Sequence, residues 1–365
     1  MKKILFYTLL LFGLLGAFTA FSFFKNKPQK IPIPPLRAIN TIGDIIQPFI
    51  ENDRTKGVSI GTYRDGKIEF YNFGICSDKN PVAPSENSIY EIGSITKTFT
   101  ATVLAQMVVE GKVNYEDPIT KYLPKEIVNW PAEVSITLED LATHSSSLPR
   151  MPSNFIKRAI FDMSNPYKNY TVPDMYDFLK DFEPAPKSAR KVDYSNLGMG
   201  LLGHILANVD GLSYEAMVRK RIFQPLGMDD SLIEIATGQL IQGHDGSGSP
   251  TSQWDLPTFA GAGAIRSNTT DMMKYLIANI NGEVPYGLTH APKKNYSSSR
   301  KIGLAWISQT NNGLDITWHN GGTGGFRTFT GFSKDKKVGV IVMANSIQSV
   351  DAVGIRLLQF LAKPQ

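Results

Sequence analysis

Segments typical of β-strands lie towards both ends of this chain of 365 residues, and a loop-rich middle with short helices separates them. Residues 58–73 predict a β-hairpin, because two runs rich in β-branched and aromatic residues flank a short turn at residues 64–67. Further strands are predicted near the C-terminus, over residues 303–309, 313–320, 327–333 and 337–345. We therefore expect an α/β fold of the α+β type, with an antiparallel sheet built from both termini, flanking helices and an inserted, mostly helical subdomain.

Helical periodicity surrounds these strands. Residues 39–50 predict an amphipathic helix, and residues 350–362 predict a closing helix. Apolar residues recur at every fourth position from Ile95 to Met107, so the segment that begins near Ser94 predicts the best-defined helix of the chain. Shorter helices are predicted in the middle, over residues 199–209 and 214–222.

The first 24 residues are unlike the rest of the chain, because an uncharged apolar run extends over residues 4–24 between lysines. As a helix this run would be roughly 30 Å long, the thickness of a bilayer core. A cleavable signal peptide has a shorter apolar core of about 7–15 residues and a small-x-small site, which residues 20–22 match poorly. Residues 1–24 are therefore either a signal anchor or a signal peptide. Both imply export to the cell envelope or periplasm, in the first case with an inner-membrane anchor at residues 4–24.

Residues 25–38 predict a Pro/Lys-rich linker, since prolines remove backbone donors and stiffen the chain into an extended spacer. Residues 39–365 are expected to form a single domain with a substantial core. The net charge of +5 arises from five lysines within residues 1–30, and without them 33 basic residues balance 33 acidic ones. A basic surface for nucleic acid is therefore not expected.

No cofactor and no metal site is expected. Cys76 is the only cysteine, which excludes an intrachain disulfide and a cysteine-based metal site, and the chain has no His-Glu-x-x-His pattern. Residues 198–203 match the glycine pattern of dinucleotide-binding loops, but no convincing strand precedes them. We interpret these glycines as positions where helices pack closely.

A Ser-Ile-Thr-Lys tetrapeptide at residues 94–97 stands at the start of the best-defined helix. Four other Ser-x-x-Lys matches occur, and in isolation Ser94 would be interpreted as an N-cap and Lys97 as a solvated first-turn residue. On a helix, however, the two side chains lie on one face and can meet. A serine hydroxyl becomes a good nucleophile when a base takes its proton, and Lys97 can be that base if burial or nearby cations lower its pKa. The Ser94 N–H, at a helix start, can donate to an oxyanion.

A Tyr-Ser-Asn triplet at residues 194–196 is a second motif that could act together with Ser94 and Lys97. In an extended segment the side chains of Tyr194 and Asn196 point the same way. The phenol could relay protons to a leaving group, while Asn196 could orient Lys97 and a substrate amide. The alternative interpretation is a helix cap beside a core tyrosine.

A glycine-rich strand near the C-terminus completes the set. His319 and Gly321 share one face of the predicted strand, and Gly322 follows at the start of a turn. Glycine lets a substrate backbone approach a strand edge, and the Gly322 N–H is a candidate second oxyanion donor. An acyl-transfer site is predicted because a serine, a lysine amine, a tyrosine phenol and a glycine-rich strand follow one another in this order along the chain.

With these motifs the chain resembles the penicillin-recognising serine hydrolases, in particular the branch of class C β-lactamases, D-alanyl-D-alanine carboxypeptidases and esterases. Supporting stretches extend the resemblance over residues 40–360, at residues 141–144, 223–228, 260–263 and 319–326. The resemblance implies that residues 39–365 form a β-lactamase-related hydrolase domain. It also implies that Ser94 is the nucleophile, Lys97 its base and Tyr194 the acid/base partner, with Ser94 and Gly322 forming the oxyanion hole.

Two positions depart from the family pattern. Ser147 stands where many relatives have glycine. His319 occupies the place of the lysine found in true β-lactamases, and an imidazole with a reference pKa of about 6.5 is mostly neutral at pH 7. We therefore expect carboxylate recognition to be weaker than in those enzymes, or to pass to Arg327.

The sequence thus predicts an exported serine hydrolase that forms an acyl-enzyme on Ser94 and cleaves an amide or ester. D-Amino acid peptides or peptidoglycan fragments are the favoured substrates, with esterase or weak β-lactamase activity as further options. The alternative is a sensor or cell-wall binding protein that binds penicillin or peptidoglycan without turnover. The expected partners are a small-molecule or peptide substrate and, through the N-terminal segment, the membrane.

Overall fold

The computed structural model describes residues 39–51, 55–235 and 238–364, together with Pro35. The signal anchor or signal peptide predicted at residues 1–24 lies outside the described residues, as does the linker at residues 25–38 apart from that proline. Within the part of the chain that the structure describes, none of the helices has both the length and the apolar character needed to span a bilayer.

The framework of the described domain is an eight-stranded antiparallel sheet with the strand order β2-β1-β10-β9-β8-β7-β6-β5. A separate two-stranded ladder pairs β3 with β4. The strands are β1 Gly57–Arg64, β2 Lys67–Gly74, β3 Tyr90–Glu91, β4 Arg266–Ser267, β5 Lys294–Asn295, β6 Lys301–Ile302, β7 Ile307–Asn311, β8 Leu314–Gly322, β9 Arg327–Ser333 and β10 Val338–Ala344.

Helices cover both faces of the sheet and fill the middle of the chain. They are α1 Ile42–Ile50, α2 Thr96–Val109, α3 Leu138–Ala142, α4 Ile156–Ala159, α5 Val172–Lys180, α6 Asn196–Asp210, α7 Tyr214–Val218, α8 Gln224–Leu226, α9 Ala260–Gly263, α10 Thr269–Asn281 and α11 Asp351–Leu361. A π-helical turn, Arg219–Phe223, joins α7 to α8.

The centre of the sheet is apolar because it is covered on both sides. Every residue of β10 is buried, and the strand lies between β1 and β9. On one face a side chain at Gly339 would meet Leu276 of α10, while on the other Gly354 of α11 lies against Phe329. Such double coverage explains why this strand is a continuous hydrophobic run instead of an alternating one.

In the helical middle, α2, α6 and α9 pack against one another. Gly203 of α6 and Gly261 of α9 approach so closely that a Cβ built on either would lie 2.8 Å from the other's Cα. This confirms the interpretation of the glycines in residues 198–203 as helix-packing positions. The close approach brings the backbone of α9 against α2, which carries Lys97.

The sheet built from both termini, its flanking helices and the inserted helical middle are confirmed. The C-terminal strand predicted over residues 303–309 is the least accurate, since β7 begins only at Ile307. The reason is local: Ala305 has a φ of +62°, outside the β region, and its N–H donates to the Ala142 carbonyl instead of to a neighbouring strand.

A buried ionic cluster joins the ends of α2 and α6 that lie furthest from the tetrapeptide at residues 94–97. The Arg221 guanidinium, only 5% exposed, donates to both carboxylate oxygens of Asp210 and both of Glu110, at 2.7–3.1 Å. These hydrogen bonds hold the pKa of Asp210 well below its ordinary value. A carboxyl with a lowered folded-state pKa stabilises the fold at neutral pH, and loses that contribution as the pH falls through the folded-state pKa.

We predict that Arg221→Ala lowers the free energy of unfolding by about 3 kcal/mol at pH 7, because the buried Asp210 carboxylate loses two hydrogen bonds and keeps only its ion pair with Lys112. Urea denaturation measures the change. The control is Lys180→Ala, since Lys180 pairs with Asp177 at an exposed site, and it should cost less than about 1 kcal/mol. Equal losses of unfolding free energy in the two variants would contradict a stabilising role of Arg221 in this ion cluster.

Candidate active site

Ser94 lies in a tight 3-10 turn, Gly93–Ile95, that leads directly into α2. Gly93 has a φ of +53°, a conformation that favours glycine, and it redirects the chain from β3 into this turn. The nucleophile candidate is therefore half-buried at a helix entrance, where backbone N–H groups have no partner within the helix.

Lys97 is fully buried, one turn along α2 from Ser94. Its Nζ donates to the Ser94 Oγ at 3.0 Å and to the Ala262 carbonyl of α9 at 2.6 Å. Burial lowers the pKa of Lys97 well below its ordinary value, and the positive charge of Arg150 lowers it further. An uncharged amine within hydrogen-bonding distance of a serine hydroxyl can take its proton, so the pair has the geometry of a base and a nucleophile.

Tyr194 closes the other side of this pair. Its phenol hydrogen-bonds with Ser94, and its ring centre lies 4.8 Å from Lys97 Nζ. Burial raises the pKa of Tyr194, while the Ser94 hydrogen bond and the charge of Arg150 oppose that rise. At pH 7 the phenol keeps its proton, which it can lend to a leaving group if it receives another from Lys97.

The backbone around Tyr194 is held by the first turn of α6. Ser195 caps this helix, because its Oγ accepts the Gly198 N–H at 2.8 Å. The Ser195 N–H donates to His144 Nδ1 at 3.2 Å, and its hydroxyl donates to the Pro149 carbonyl at 2.8 Å. His144 is thus a buried, hydrogen-bonded structural residue. It fixes the loop that faces the site.

Asn196 lies at the site, but its contacts are with the wall and not with Lys97. Its Nδ2 donates to Met151 Sδ at 3.8 Å, and its side chain hydrogen-bonds with Tyr167. Its Oδ1 is buried and has no hydrogen-bonding partner among the described residues. A buried acceptor of this kind is available to a substrate N–H, which keeps the predicted substrate-binding role open.

The glycines of β8 lie directly against the Ser94 turn. A Cβ built on Gly93 would lie 2.7 Å from the Gly322 nitrogen, and one on Gly321 would collide with the Ile92 carbonyl. Thr328 of β9 locks the arrangement, because its hydroxyl donates to the same Ile92 carbonyl at 2.9 Å. The Gly322 backbone is therefore beside Ser94, where the predicted second oxyanion donor has to be.

His319 is buried on β8 and cannot act as a permanent cation. Burial is the main cause that lowers its pKa to about 3, with the charge of Lys97 adding to it. Its Nδ1 pairs with the Asn320 carbonyl at 2.6 Å, which requires a proton on Nδ1 and leaves Nε2 as an acceptor. The ring centre lies 6.4 Å from that of Tyr194, so His319 borders the site as a neutral group.

Arg327 lies at the start of β9, next to Gly322. Its Nη1 donates to the Thr323 carbonyl at 2.8 Å and to the Phe326 carbonyl at 2.7 Å. The structure thus places this arginine near the predicted oxyanion donor but engages its guanidinium with the main chain of the turn.

A narrow cavity of about 20 Å³ opens at Ser94, with room for about one water molecule. Aromatic side chains form much of its wall, and Tyr167 and Trp254 lie with ring centres 5.3 Å apart. The larger groove, of about 560 Å³, lies between α1, the β1–β2 hairpin and α11, and contains none of the predicted site residues. We locate the site at the smaller cavity because the chemically paired groups lie there.

Sequence reasoning missed two contributors to the site. The sequence does not mark the Ala262 carbonyl as an acceptor, because every residue has a main-chain carbonyl. Residues 260–263 were noted only as part of the family resemblance. Arg150 follows the His144 loop and its Cζ lies 4.9 Å from the Tyr194 ring centre, yet no motif marks it. Among the described residues, no three His, Cys, Asp or Glu side chains lie together as metal ligands.

Ser147, where many relatives of the suspected family have glycine, adopts a φ of +64°. That left-handed conformation favours glycine, so the backbone shape is retained although the side chain has changed. The Ser147 hydroxyl accepts the Ala185 N–H at 3.3 Å, which offsets part of the strain.

Comparisons with known proteins place this geometry in a family. The family model described as Beta-lactamase matches residues 42–362. A β-lactamase of Pseudomonas fluorescens is 23% identical over 344 residues, covering 83% of this chain and 92% of that protein. The D-alanyl-D-alanine-carboxypeptidase/endopeptidase AmpH of Escherichia coli K12 is 27% identical over 298 residues, covering 75% of each chain.

Solved structures have the same fold. A class C β-lactamase superposes with a TM-score of 0.76 at 24% identity, covering 89% of this chain and 96% of that one. The β-lactamase/D-alanine carboxypeptidase from Pseudomonas syringae gives a TM-score of 0.75 at 21% identity, covering 88% and 98%.

We predict that the rate of Ser94 labelling by a fluorophosphonate rises with pH along a limb whose midpoint lies well below 10.5, the ordinary lysine value. The reactive form is the uncharged amine, so activity is lost as the pH falls through the lowered pKa of Lys97. Lys97→Arg should reduce labelling at least about 100-fold, because a guanidinium stays protonated. A midpoint near the ordinary value, or rapid labelling of the variant, would contradict the role of Lys97.

A second prediction compares two glycines with positive φ. Gly93→Ala should lower the Ser94 labelling rate about 100-fold, because its Cβ displaces the Gly322 backbone that is expected to bind the oxyanion. Gly111 has a φ of +69° but open space around it. Gly111→Ala should therefore share the backbone strain of about 1 kcal/mol and keep the labelling rate. If both variants label alike, the Gly93–Gly322 contact has no catalytic importance.

Proposed function

This chain belongs to the beta-lactamase family and is a serine hydrolase of the β-lactamase-like type, and we propose that it cleaves D-amino acid peptides through an acyl-enzyme on Ser94. The observation that carries the proposal is the buried Lys97, whose Nζ lies 3.0 Å from Ser94 Oγ and whose pKa burial holds well below its ordinary value. An amine in that state can generate the nucleophile without a metal or cofactor in the step.

In the proposed acylation, Ser94 Oγ gives its proton to Lys97 and forms a bond to the substrate carbonyl carbon. The carbonyl oxygen becomes an oxyanion, which the backbone N–H groups of Ser94 and Gly322 stabilise. The bond to the leaving amine then breaks, and that amine takes a proton from the Tyr194 phenol. Lys97 returns its proton to Tyr194, so the ester on Ser94 is left with both groups in their resting states.

Deacylation follows the same path in reverse with water as the nucleophile. Water gives one proton to the Tyr194–Lys97 pair and adds to the ester carbonyl, again with the oxyanion between Ser94 and Gly322. Collapse breaks the bond to Ser94 Oγ, which recovers a proton from the pair and releases a carboxylic acid. Each cycle therefore consumes one water and one amide bond.

One comparison supports a D-amino acid peptide as the substrate. The relative AmpH, at 27% identity, is named for D-alanyl-D-alanine carboxypeptidase and endopeptidase activity.

The proposed location is outside the cytoplasm, in the cell envelope, where peptidoglycan-derived peptides occur. It rests on the sequence of residues 1–38, with its apolar run at residues 4–24 and its Pro/Lys-rich linker. Whether the run anchors the protein or is cleaved decides between a membrane-bound and a freely diffusing hydrolase.

We predict that the full-length protein releases D-alanine from an N-acyl-D-alanyl-D-alanine peptide, and that Ser94→Ala lowers this rate at least about 1,000-fold, since the nucleophile is lost. Ser188→Ala is the matched control, because Ser188 begins another Ser-x-x-Lys match but is exposed. It should leave the rate unchanged.

A fluorescent penicillin separates the enzyme from the binding protein that the sequence also allows. Labelling of Ser94 followed by release of the label supports turnover, whereas a stable adduct with no D-alanine release supports a sensor. A wild-type protein that neither penicillin nor fluorophosphonate labels would contradict the whole proposal.

A further inference from the structure

A peptide ending in a free carboxylate needs a cation in this site, and β8 does not provide one. This reasoning rests on the proposed function, because the carboxylate belongs to the peptide substrate proposed above. His319 stands where true β-lactamases have lysine, but burial holds its pKa at about 3 and it is neutral at pH 7. Lys97 is used as the uncharged base, so it is not available as a cation either.

Arg327 was the sequence-based candidate for this task, but its guanidinium is already bound to the protein. It donates to two carbonyls of the turn after β8, those of Thr323 and Phe326, at 2.8 and 2.7 Å. Burial lowers its pKa, and the charge of Asp351 opposes that change. These contacts are those of a residue that shapes the turn.

Arg150 differs from Arg327 in its exposure and in the contacts of its guanidinium. Its side chain is exposed, and its Cζ lies 4.9 Å from the ring centre of Tyr194. Among the described residues, none of the ion pairs involves the Arg150 guanidinium. A guanidinium stacked on an aromatic face keeps its in-plane N–H groups available for a carboxylate.

The backbone of Arg150 is fixed even though its side chain is exposed. Its carbonyl accepts the N–H groups of Asn196 and Leu197, at 3.1 and 3.3 Å, at the start of α6. The preceding carbonyl, of Pro149, accepts the Ser195 hydroxyl at 2.8 Å. The backbone of Arg150 is thus tied to the segment that carries Tyr194 and Asn196, and its guanidinium lies beside the Tyr194 ring.

We propose that Arg150 is a specificity-determining residue that binds the terminal carboxylate of the substrate beside the Tyr194 ring. A guanidinium matches a carboxylate with two parallel N–H···O bonds, which gives both affinity and orientation. The contact would select peptides with a free C-terminus over amides and esters at the same position. It would also explain how a site with a neutral His319 can act on an anionic substrate.

Arg150 also influences the chemistry through its charge. Burial is the main cause of the lowered pKa of Lys97, and Arg150 is the charged neighbour that lowers it further. A bound carboxylate would neutralise part of that field, so Lys97 would become a stronger base when the correct substrate is present. A residue that only shaped the loop would not have this effect.

The test compares N-acyl-D-alanyl-D-alanine with its C-terminal amide, using the full-length protein and its Arg150→Gln and Arg150→Lys variants. Arg150→Gln should lower kcat/KM about 10- to 100-fold for the carboxylate substrate, the range of a charge-assisted contact. It should lower kcat/KM for the amide only about threefold or less. Arg150→Lys should lie between wild type and Arg150→Gln for the carboxylate substrate, because an ammonium lacks the planar fork. In a plot of kcat/KM against pH for the amide substrate, the acidic limb should move to higher pH in Arg150→Gln. The reason is that the pKa of Lys97 rises when the neighbouring positive charge is removed.

Lys125→Gln, which removes one exposed positive charge, controls for general charge attraction and should leave the substrate preference unchanged. Fluorophosphonate labelling of Ser94 in every variant shows that the site is folded. Equal losses on both substrates, the same loss in Lys125→Gln, or a selective loss in Arg327→Gln instead, would each overturn the proposal. If wild type hydrolyses neither peptide, the proposed function has failed and the inference falls with it; hydrolysis of both with an unchanged preference in Arg150→Gln refutes the inference alone.

Discussion

The burial of the Lys97 amine, which lowers its pKa, is the constraint on which this site depends. An ammonium in the same place would lose its hydration with no anion to compensate, so burial favours the neutral form. Its two partners, the Ser94 hydroxyl and the Ala262 carbonyl, hold the amine beside the nucleophile. The Ala262 contact exists because Gly203 and Gly261 let α9 lie closely against α6.

Reactivity and stability lie at opposite ends of the same two helices. The starts of α2 and α6 carry Lys97 and Asn196, and there polar groups are buried with few partners. At their far ends, Arg221 joins Glu110 and Asp210 in an ion cluster and donates two hydrogen bonds to each carboxylate. Burial of the Lys97 amine without an ionic partner costs stability. The ion cluster around Arg221 stabilises the same two helices at the ends where no reaction takes place.

The sequence was informative where the pattern was periodic or the motif local. The hairpin at residues 58–73 and the sheet from both termini followed from alternation and turn residues, and the Ser94–Lys97 pair followed from helical spacing. It was uninformative where the contact is made by a main-chain atom, as with the Ala262 carbonyl, or by a loop residue outside any motif, as with Arg150. The neutral state of His319 could be expected from its reference pKa, but its burial required the fold.

The most direct test of this account is the titration of Lys97 itself. With ¹³C-labelled lysine, the Cε resonance that disappears in Lys97→Arg reports its protonation state by NMR as the pH is raised. The account predicts that this resonance titrates well below 10.5, the ordinary value for lysine. A resonance that titrates at or above that value would mean that Lys97 is an ammonium in the folded protein, and would contradict its role as the base.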